Sequence, residues 1–67
     1  MITLKAARVN KGLTQIEAAK LLNISPDTLF KYEKGKTFPD VPVLKRIEKL
    51  YDISYNDIDF FCEEKTI

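Results

Sequence analysis

Two closely spaced helix starts place the strongest constraint on how this sequence can fold. The first is the run TQIE at residues 14–17, a T-x-x-E capping box that predicts a helix over residues 15–22. The second is Ser25 followed by Pro26, which predicts a helix over residues 26–34, because proline at the first helical position loses no hydrogen bond. Only about three residues join these helices, so they must cross steeply and bury a shared seam.

Helix caps and apolar spacing divide the rest of the chain into further short helices. Thr3 caps a first helix that Gly12 ends, since glycine readily adopts the left-handed conformation found at helix ends. Asp40 caps a helix with apolar residues at helical spacing, and Ser54 opens a second capping box. We expect the last residues, 62–67, to fray. The sequence therefore predicts a compact all-α domain of five helices, at about residues 3–11, 15–22, 26–34, 41–51 and 55–61.

The composition excludes several classes of protein. With 67 residues, 45% of them hydrophobic and 31% charged, the chain is expected to form one globular domain over residues 1–67. It has no apolar run long enough for a membrane span or a secretory signal, so we expect a cytoplasmic protein without a membrane partner. One cysteine and no histidine leave no usual metal site or general base. We therefore expect no metal, no cofactor, no small-molecule ligand and no enzymatic activity.

Charge is distributed unevenly along the chain. Residues 1–36 contain seven basic and three acidic residues, a net charge of +4. Residues 37–67 contain four basic and seven acidic residues, a net charge of −3, so the two halves sum to the overall +1. A negatively charged polymer such as a nucleic acid would be attracted to residues 1–36 rather than to residues 37–67. Because solvated surfaces also carry such charges, this asymmetry alone supports nucleic-acid binding only weakly.

The seam between the second and third helices has the composition that two closely crossing helices need. Small Ala19 lies where the helices approach each other, and the flanking apolar residues are Ala18, Leu22, Ile24, Leu29 and Tyr32. Further stretches that support the same comparison are Leu13-Thr14-Gln15, Glu17, Ile24-Ser25, Thr28-Leu29, the run KYEKGK at 31–36, Pro39, Leu44, Ile47 and Ile53-Ser54. With these residues the sequence resembles the phage Cro/repressor and XRE-like family of helix-turn-helix DNA-binding domains over about residues 3–61. The resemblance implies a lambda-repressor-like fold.

The resemblance also implies that the third helix enters the major groove of DNA. At 100° per residue, Asp27, Thr28 and Lys31 share one polar arc, away from the inward-facing Leu29. Lys31 would donate to guanine, Thr28 would touch a thymine methyl or a phosphate, and Asp27 would accept from cytosine. Solvated surface is the alternative interpretation of each. Some members of the family carry a side chain that hydrogen-bonds a base at the position of Pro26. Proline has no such group, so this contact to a base is absent here.

Four residues are the predicted contacts to DNA phosphates. They are Gln15 at the start of the second helix, Lys34, and Lys36 with the backbone of Thr37 in the following loop. For Gln15 the alternative is an ordinary surface residue at a helix start. Phe30, beside the inward arc, is interpreted as packing at the edge of the core, with a thymine contact as the minor alternative.

Arg8 and Glu33 match a pair that forms a buried ion pair in relatives. The resemblance therefore implies a link between the first helix and the third. Two unrelated surface charges are the alternative. A buried pair would specify geometry more than stability, and removal of one partner would cost about 3–5 kcal/mol.

A homodimer is predicted, because one helix-turn-helix reads few base pairs and symmetric operators match twofold proteins. Ile58, Phe60 and Phe61 crowd a short predicted helix and would leave apolar surface for a partner, although Ile58 is equally explained as a lid over the core. Ile16 and Leu21 are apolar where the family usually has polar residues. They mark either a second protein contact or scattered surface residues.

Two functions remain open from the sequence. The first is a sequence-specific regulator of transcription, a dimeric repressor that binds double-stranded DNA at an inverted-repeat operator in a bacterial or phage-encoded setting. The second is a protein-binding module of the same fold, antirepressor-like or an adaptor, without specific DNA affinity. Salt-insensitive binding to a protein, with no DNA affinity, would distinguish the second from the first.

Overall fold

The computed structural model describes residues 1–60, and helices make up most of that length. In chain order the elements are β1 (Ile2–Thr3), α1 (Leu4–Asn10), α2 (Gln15–Leu22), α3 (Pro26–Glu33), α4 (Val41–Tyr51), a 3₁₀ turn (Tyr55–Asp57) and β2 (Ile58–Asp59). The predicted all-α fold class is confirmed, with two very short strands added to it. Within residues 1–60 no helix is long and apolar enough to cross a membrane.

Each of the four helices begins at a residue whose side chain caps it. Thr3, Thr14, Ser25 and Asp40 each accept a hydrogen bond from the backbone N–H three residues later, at 3.0–3.1 Å. Thr14 also donates its own backbone N–H to the Glu17 carboxylate, which completes the capping box and lowers the pKa of Glu17. These caps explain why the four helices lie within one residue of their predicted bounds.

The core lies where the four helices face one another. Leu4, Leu22, Leu29 and Ile47 are its largest fully buried side chains. α4 also closes the end of α2, because Arg46 Nε donates to the carbonyl oxygen of Leu22 at 2.9 Å. Further buried apolar residues are Ala7, Ala18, Ala19, Val43, Tyr51, Ile58 and Phe60.

The predicted fifth helix over residues 55–61 is wrong. Its first residues form a single 3₁₀ turn, and Ser54 caps that turn by accepting from the backbone N–H of Asn56 at 3.3 Å. The chain then becomes extended, and Ile58–Asp59 pairs in parallel with Ile2–Thr3. The C-terminal segment therefore adds a strand beside the start of α1.

Alternating burial explains why this segment is extended. Ile58 and Phe60 are two residues apart, so in a strand both side chains point to the same face. They are 4% and 5% exposed, and the Phe60 ring centroid lies 5.1 Å from that of Phe38. A helix would turn these two side chains about 200° apart and bury only one of them. Phe61 and the predicted frayed tail, 62–67, lie outside the described residues.

Candidate nucleic-acid interface

The connection between α2 and α3 sets the angle at which these helices cross. Asn23 adopts the left-handed conformation, with φ of 60° and ψ of 44°, which turns the chain out of α2. Ile24 then donates its backbone N–H to the carbonyl oxygen of Ala19 at 3.0 Å. Ala19 is only 1% exposed, so the two helices meet over a small side chain. The α2–α3 pair therefore has the helix-turn-helix geometry that the sequence predicts.

The solvent side of α3 carries the three predicted base-reading residues. Lys31 Nζ lies 3.2 Å from Asp27 Oδ2, one turn along the helix, and the two side chains are 50% and 74% exposed. The Thr28 hydroxyl lies 2.8 Å from that of Ser25, so the Thr28 oxygen belongs to the helix cap. Leu29, on the opposite side, is fully buried. The structure thus brings Asp27, Thr28 and Lys31 together on one accessible face.

The inner side of α3 is held by a buried ion pair between Arg8 and Glu33. Arg8 Nε donates to Glu33 Oε2 at 2.7 Å, and Arg8 Nη2 lies 3.3 Å from Glu33 Oε1. The two side chains are 10% and 3% exposed. Arg8 Nη1 also donates to the carbonyl oxygen of Leu13 at 2.9 Å. One guanidinium therefore joins α1, the loop before α2 and the last residue of α3.

Gln15, a predicted phosphate contact, belongs to the same network. Its Nε2 donates to Glu33 Oε1 at 2.9 Å, which ties the first residue of α2 to the end of α3. A primary amide nitrogen carries two N–H groups, so this bond uses one and leaves the other for an acceptor outside the protein. The Gln15 side chain is thus positioned by Glu33, which Arg8 positions in turn.

The remaining predicted phosphate contacts lie where α3 ends. Gly35 has a φ of 74°, a left-handed conformation that favours glycine. Lys36 closes the helix end by donating its backbone N–H to the carbonyl oxygen of Lys31 at 3.0 Å. The Lys36 side chain and Thr37 are exposed in the following loop, and Lys34 is half-buried. Lys34, Lys36 and Thr37 therefore lie at or just after the end of α3, where the sequence predicted phosphate contacts.

Sequence reasoning missed Lys5 beside this surface and assigned Phe30 to the wrong environment. An open depression of about 560 Å³ lies between α1, the start of α2 and the end of α3, and Lys5, Gln15, Phe30 and Lys34 contribute to its lining. The prediction that Phe30 packs at the edge of the core is wrong, since this residue is 41% exposed. The available signal was spacing, because Lys5 precedes Arg8 by three residues and neighbours at that spacing share a helix face.

Two of the three C-terminal residues proposed for a dimer, Ile58 and Phe60, are not on the surface. Ile58 and Phe60 are buried in the chain's own core, so the prediction that they supply exposed apolar surface for a partner is wrong. The alternative interpretation of Ile58 as a lid over the core is correct. Phe61, the third residue of that prediction, lies outside the described residues.

The hydroxyl of Tyr51 is buried close enough to the ion pair to feel the charges of Glu33 and Arg8. The Tyr51 hydroxyl has no hydrogen-bond partner within residues 1–60 and is shielded from solvent. Burial raises the pKa of Tyr51 to about 12, the negative charge of Glu33 adds to the increase, and the positive charge of Arg8 opposes it. No group of three or more His, Cys, Asp or Glu residues in this part of the chain could hold a metal ion.

Comparison with known proteins identifies relatives that include proteins named as HTH-type transcriptional regulators. The HTH-type transcriptional regulator ImmR of Bacillus subtilis is 43% identical over 51 residues, which cover 76% of this chain and 40% of ImmR. Multiprotein-bridging factor 1a of Arabidopsis thaliana is 37% identical over 43 residues, which cover 64% of this chain and 30% of that factor. The uncharacterised HTH-type transcriptional regulator MJ0272 of Methanocaldococcus jannaschii is 32% identical over 62 residues, which cover 92% of this chain and 94% of MJ0272.

The matched part of the chain includes all the residues of the candidate interface. The chain spans well under half the length of ImmR and of the bridging factor, but nearly all of the archaeal regulator. A family model described as helix-turn-helix matches residues 4–58, which include α1 to α4 and the Arg8–Glu33 pair. On this match and on the geometry of α2 and α3, the chain belongs to the XRE-type helix-turn-helix family of DNA-binding transcription regulators.

Proposed function

We propose that this protein is a repressor that binds a specific operator as a homodimer, with α3 in the major groove. The observation that carries the proposal is the buried network of Arg8, Gln15 and Glu33. It fixes α3 against α1 and against the start of α2, while Asp27 and Lys31 remain in solvent. A helix held rigidly from behind, with a polar outer face, is what reading of base edges requires.

Base reading would fall to the outer face of α3. Lys31 donates to guanine O6 and N7, and Asp27 accepts from cytosine N4. The Asp27–Lys31 ion pair must open for this, but an exposed pair contributes at most about 1 kcal/mol, so opening it costs little. The Thr28 hydroxyl is engaged with Ser25, which leaves its methyl group for a thymine methyl.

Phosphate binding would fix the register of α3 on the duplex. Gln15 offers its second amide N–H, and Lys34, Lys36 and the backbone of Thr37 bind phosphates beside the groove. Gln15 and Lys34 line one depression, and Lys36 and Thr37 follow in the next loop, so these contacts cluster where α2 begins and α3 ends. Such contacts add affinity for every sequence alike.

Selection of bound duplexes from a random DNA pool tests this function. We expect an enriched inverted repeat with half-sites about one helical turn apart. On the selected duplex, Lys31→Ala should cost about 1–3 kcal/mol and relax the preference at one base. Lys36→Ala should weaken all duplexes alike and lower the salt slope by about one. Absence of both effects in a chain that stays folded would exclude α3 as the reader of DNA.

The homodimer rests on the symmetry that an inverted repeat requires. With Ile58 and Phe60 buried, Phe61 is the remaining residue predicted for the interface. Phe61→Asp should shift the sedimentation coefficient from dimer to monomer and reduce binding to one half-site. An unchanged sedimentation profile would place the interface elsewhere.

A second candidate function is a protein-binding module. Ile16 and Leu21 on α2 are 70% and 58% exposed, and the relative from Arabidopsis thaliana is named a multiprotein-bridging factor. Under this function the selection would enrich no sequence. The double variant Ile16→Ser and Leu21→Ser would then lose its protein partner. If the protein is instead a DNA-binding repressor, this double variant should bind the selected duplex as tightly as the wild type does.

A further inference from the structure

The open depression between α1, α2 and α3 has the charge and shape of a seat for an anion. Its lining includes Lys5 from α1, Gln15 from α2, and Phe30 with Lys34 from the end of α3. Arg8 and Glu33 also line it, but they neutralise each other in their ion pair at 2.7 Å. Lys5 and Lys34 are the other two charged residues of the lining, and both are basic.

Phe30 is an unusual residue to leave in solvent on this surface. It is 41% exposed, and burial in the core does not account for its aromatic ring. The ammonium nitrogen of Lys34 lies 5.5 Å from the centroid of that ring, the geometry of a cation–π contact one helical turn apart. The ring thus limits where a long, flexible lysine side chain places its charge.

We propose that Phe30 is a positioning residue for DNA binding: its ring holds Lys34 over the depression, where Lys34 and Lys5 bind a phosphate of the DNA backbone. The inference rests on the proposed function and adds Lys5 and Phe30 to it. A phosphodiester suits this seat, because its negative charge meets two ammonium groups. Gln15 lines the same depression, so its second amide N–H reaches the same strand.

A double-mutant cycle on the selected duplex tests the positioning role. The variants are Phe30→Leu, Lys34→Gln, and the two combined, with Phe30→Tyr as the conservative variant that keeps a ring. Phe30→Leu should weaken binding about threefold, as expected for an exposed cation–π contact, and Phe30→Tyr should restore wild-type affinity. The double variant should bind no more weakly than Lys34→Gln alone, since the ring acts through that lysine.

Salt dependence and two matched controls separate positioning from general effects. Lys34→Gln and Lys5→Gln should each lower the slope of log affinity against log salt by about 0.9. Lys20→Gln, an exposed lysine on α2 that does not line the depression, should leave the slope unchanged. Tyr55→Leu removes another exposed aromatic ring, 48% accessible, and should leave affinity unchanged. Thermal melts should show every variant folded, because all the substituted side chains are at least partly exposed.

The outcomes distinguish failure of the inference from failure of the function beneath it. Wild-type protein that binds no duplex would overturn both. Wild-type binding with unchanged affinity for Phe30→Leu, or with losses from Phe30→Leu and Lys34→Gln that multiply in the double variant, would overturn the positioning role alone. A Lys5→Gln slope equal to that of Lys20→Gln would remove Lys5 from the seat.

Discussion

The α2–α3 unit and the C-terminal segment after α4 hold their positions by different means. α2 and α3 each begin at a side-chain cap, and α2 turns into the connection through a left-handed asparagine. The segment from Tyr55 to Phe60 has one weak cap and is held by pairing with Ile2–Thr3 and by burial of two side chains. Local hydrogen bonds shape the first region, whereas contacts between distant parts of the chain shape the second.

The difference shows where rigidity is needed. The surface proposed to meet DNA is carried by capped helices that the Arg8 network locks from behind, so its side chains have a fixed frame. The C-terminal segment instead completes the core beside α1 with the buried side chains of Ile58 and Phe60. Substitutions that remove a charge or a cap should therefore disturb the α2–α3 unit, whereas substitutions that remove buried apolar groups should disturb the C-terminal segment.

The largest effect is expected from Arg8→Ala. It leaves the Glu33 carboxylate, 3% exposed, without its counter-charge, and should lower the free energy of unfolding by about 3–5 kcal/mol. Urea denaturation measures this loss. The matched control is Arg8→Met with Glu33→Leu, which removes both charges and should recover most of the stability. An equal loss in both variants would show that packing, not charge, holds α3.

Ile58→Ala should cost about 3 kcal/mol, because it leaves a cavity beneath the two-stranded sheet. Its sedimentation coefficient should equal that of the wild type, since Ile58 lies in the core of its own chain. Val9→Ala, at a residue 56% exposed, is the control and should change stability by less than about 0.5 kcal/mol. If Ile58→Ala lost little stability but no longer formed a dimer, Ile58 would have to lie in a dimer interface.

These contrasts explain how much the sequence could predict. The bounds of four helices follow from caps and glycines, which act within a few residues, and the grouping of Asp27, Thr28 and Lys31 follows from helical geometry. The strand at Ile58 depends on pairing with Ile2, 56 residues earlier in the chain. Residues near Ile58 in the sequence do not indicate that pairing. The capping box at Ser54 is typical of a helix start and therefore led to the wrong prediction. The exposure of Phe30 depends equally on the position of α1.

Two serine caps make the contrast between the regions directly measurable. Ser25 accepts from the backbone N–H of Thr28 at 3.1 Å and starts a full helix, so Ser25→Ala should cost about 1 kcal/mol. Ser54 accepts at 3.3 Å and starts only a 3₁₀ turn, so Ser54→Ala should cost less than half as much. Urea denaturation of both variants checks the ranking. Equal losses would mean that local capping contributes as much to the C-terminal segment as to α3.

The smallest effect at neutral pH is expected from Tyr51→Phe, which removes a buried hydroxyl near the Arg8–Glu33 pair that has no hydrogen-bond partner within residues 1–60. The ring still fills its site, so we expect a gain in stability below about 1 kcal/mol. The effect grows with pH, because the pKa of Tyr51 is raised from 10.0 to about 12 in the folded protein. Below pH 10 the phenol is protonated in both states and adds no pH dependence.

Above pH 10 the unfolded chain loses the phenol proton first, so the stability of the wild type falls as the pH rises through the folded pKa of about 12. Tyr51→Phe lacks this loss, and the lysines that titrate in the same range are common to both proteins. The difference between their unfolding free energies should therefore widen from pH 10 towards pH 12. A constant difference would mean that the phenol ionises as readily in the core as in the unfolded chain. A variant less stable than the wild type at neutral pH would show that the hydroxyl is hydrogen-bonded, and that α4 takes part in the network that positions α3.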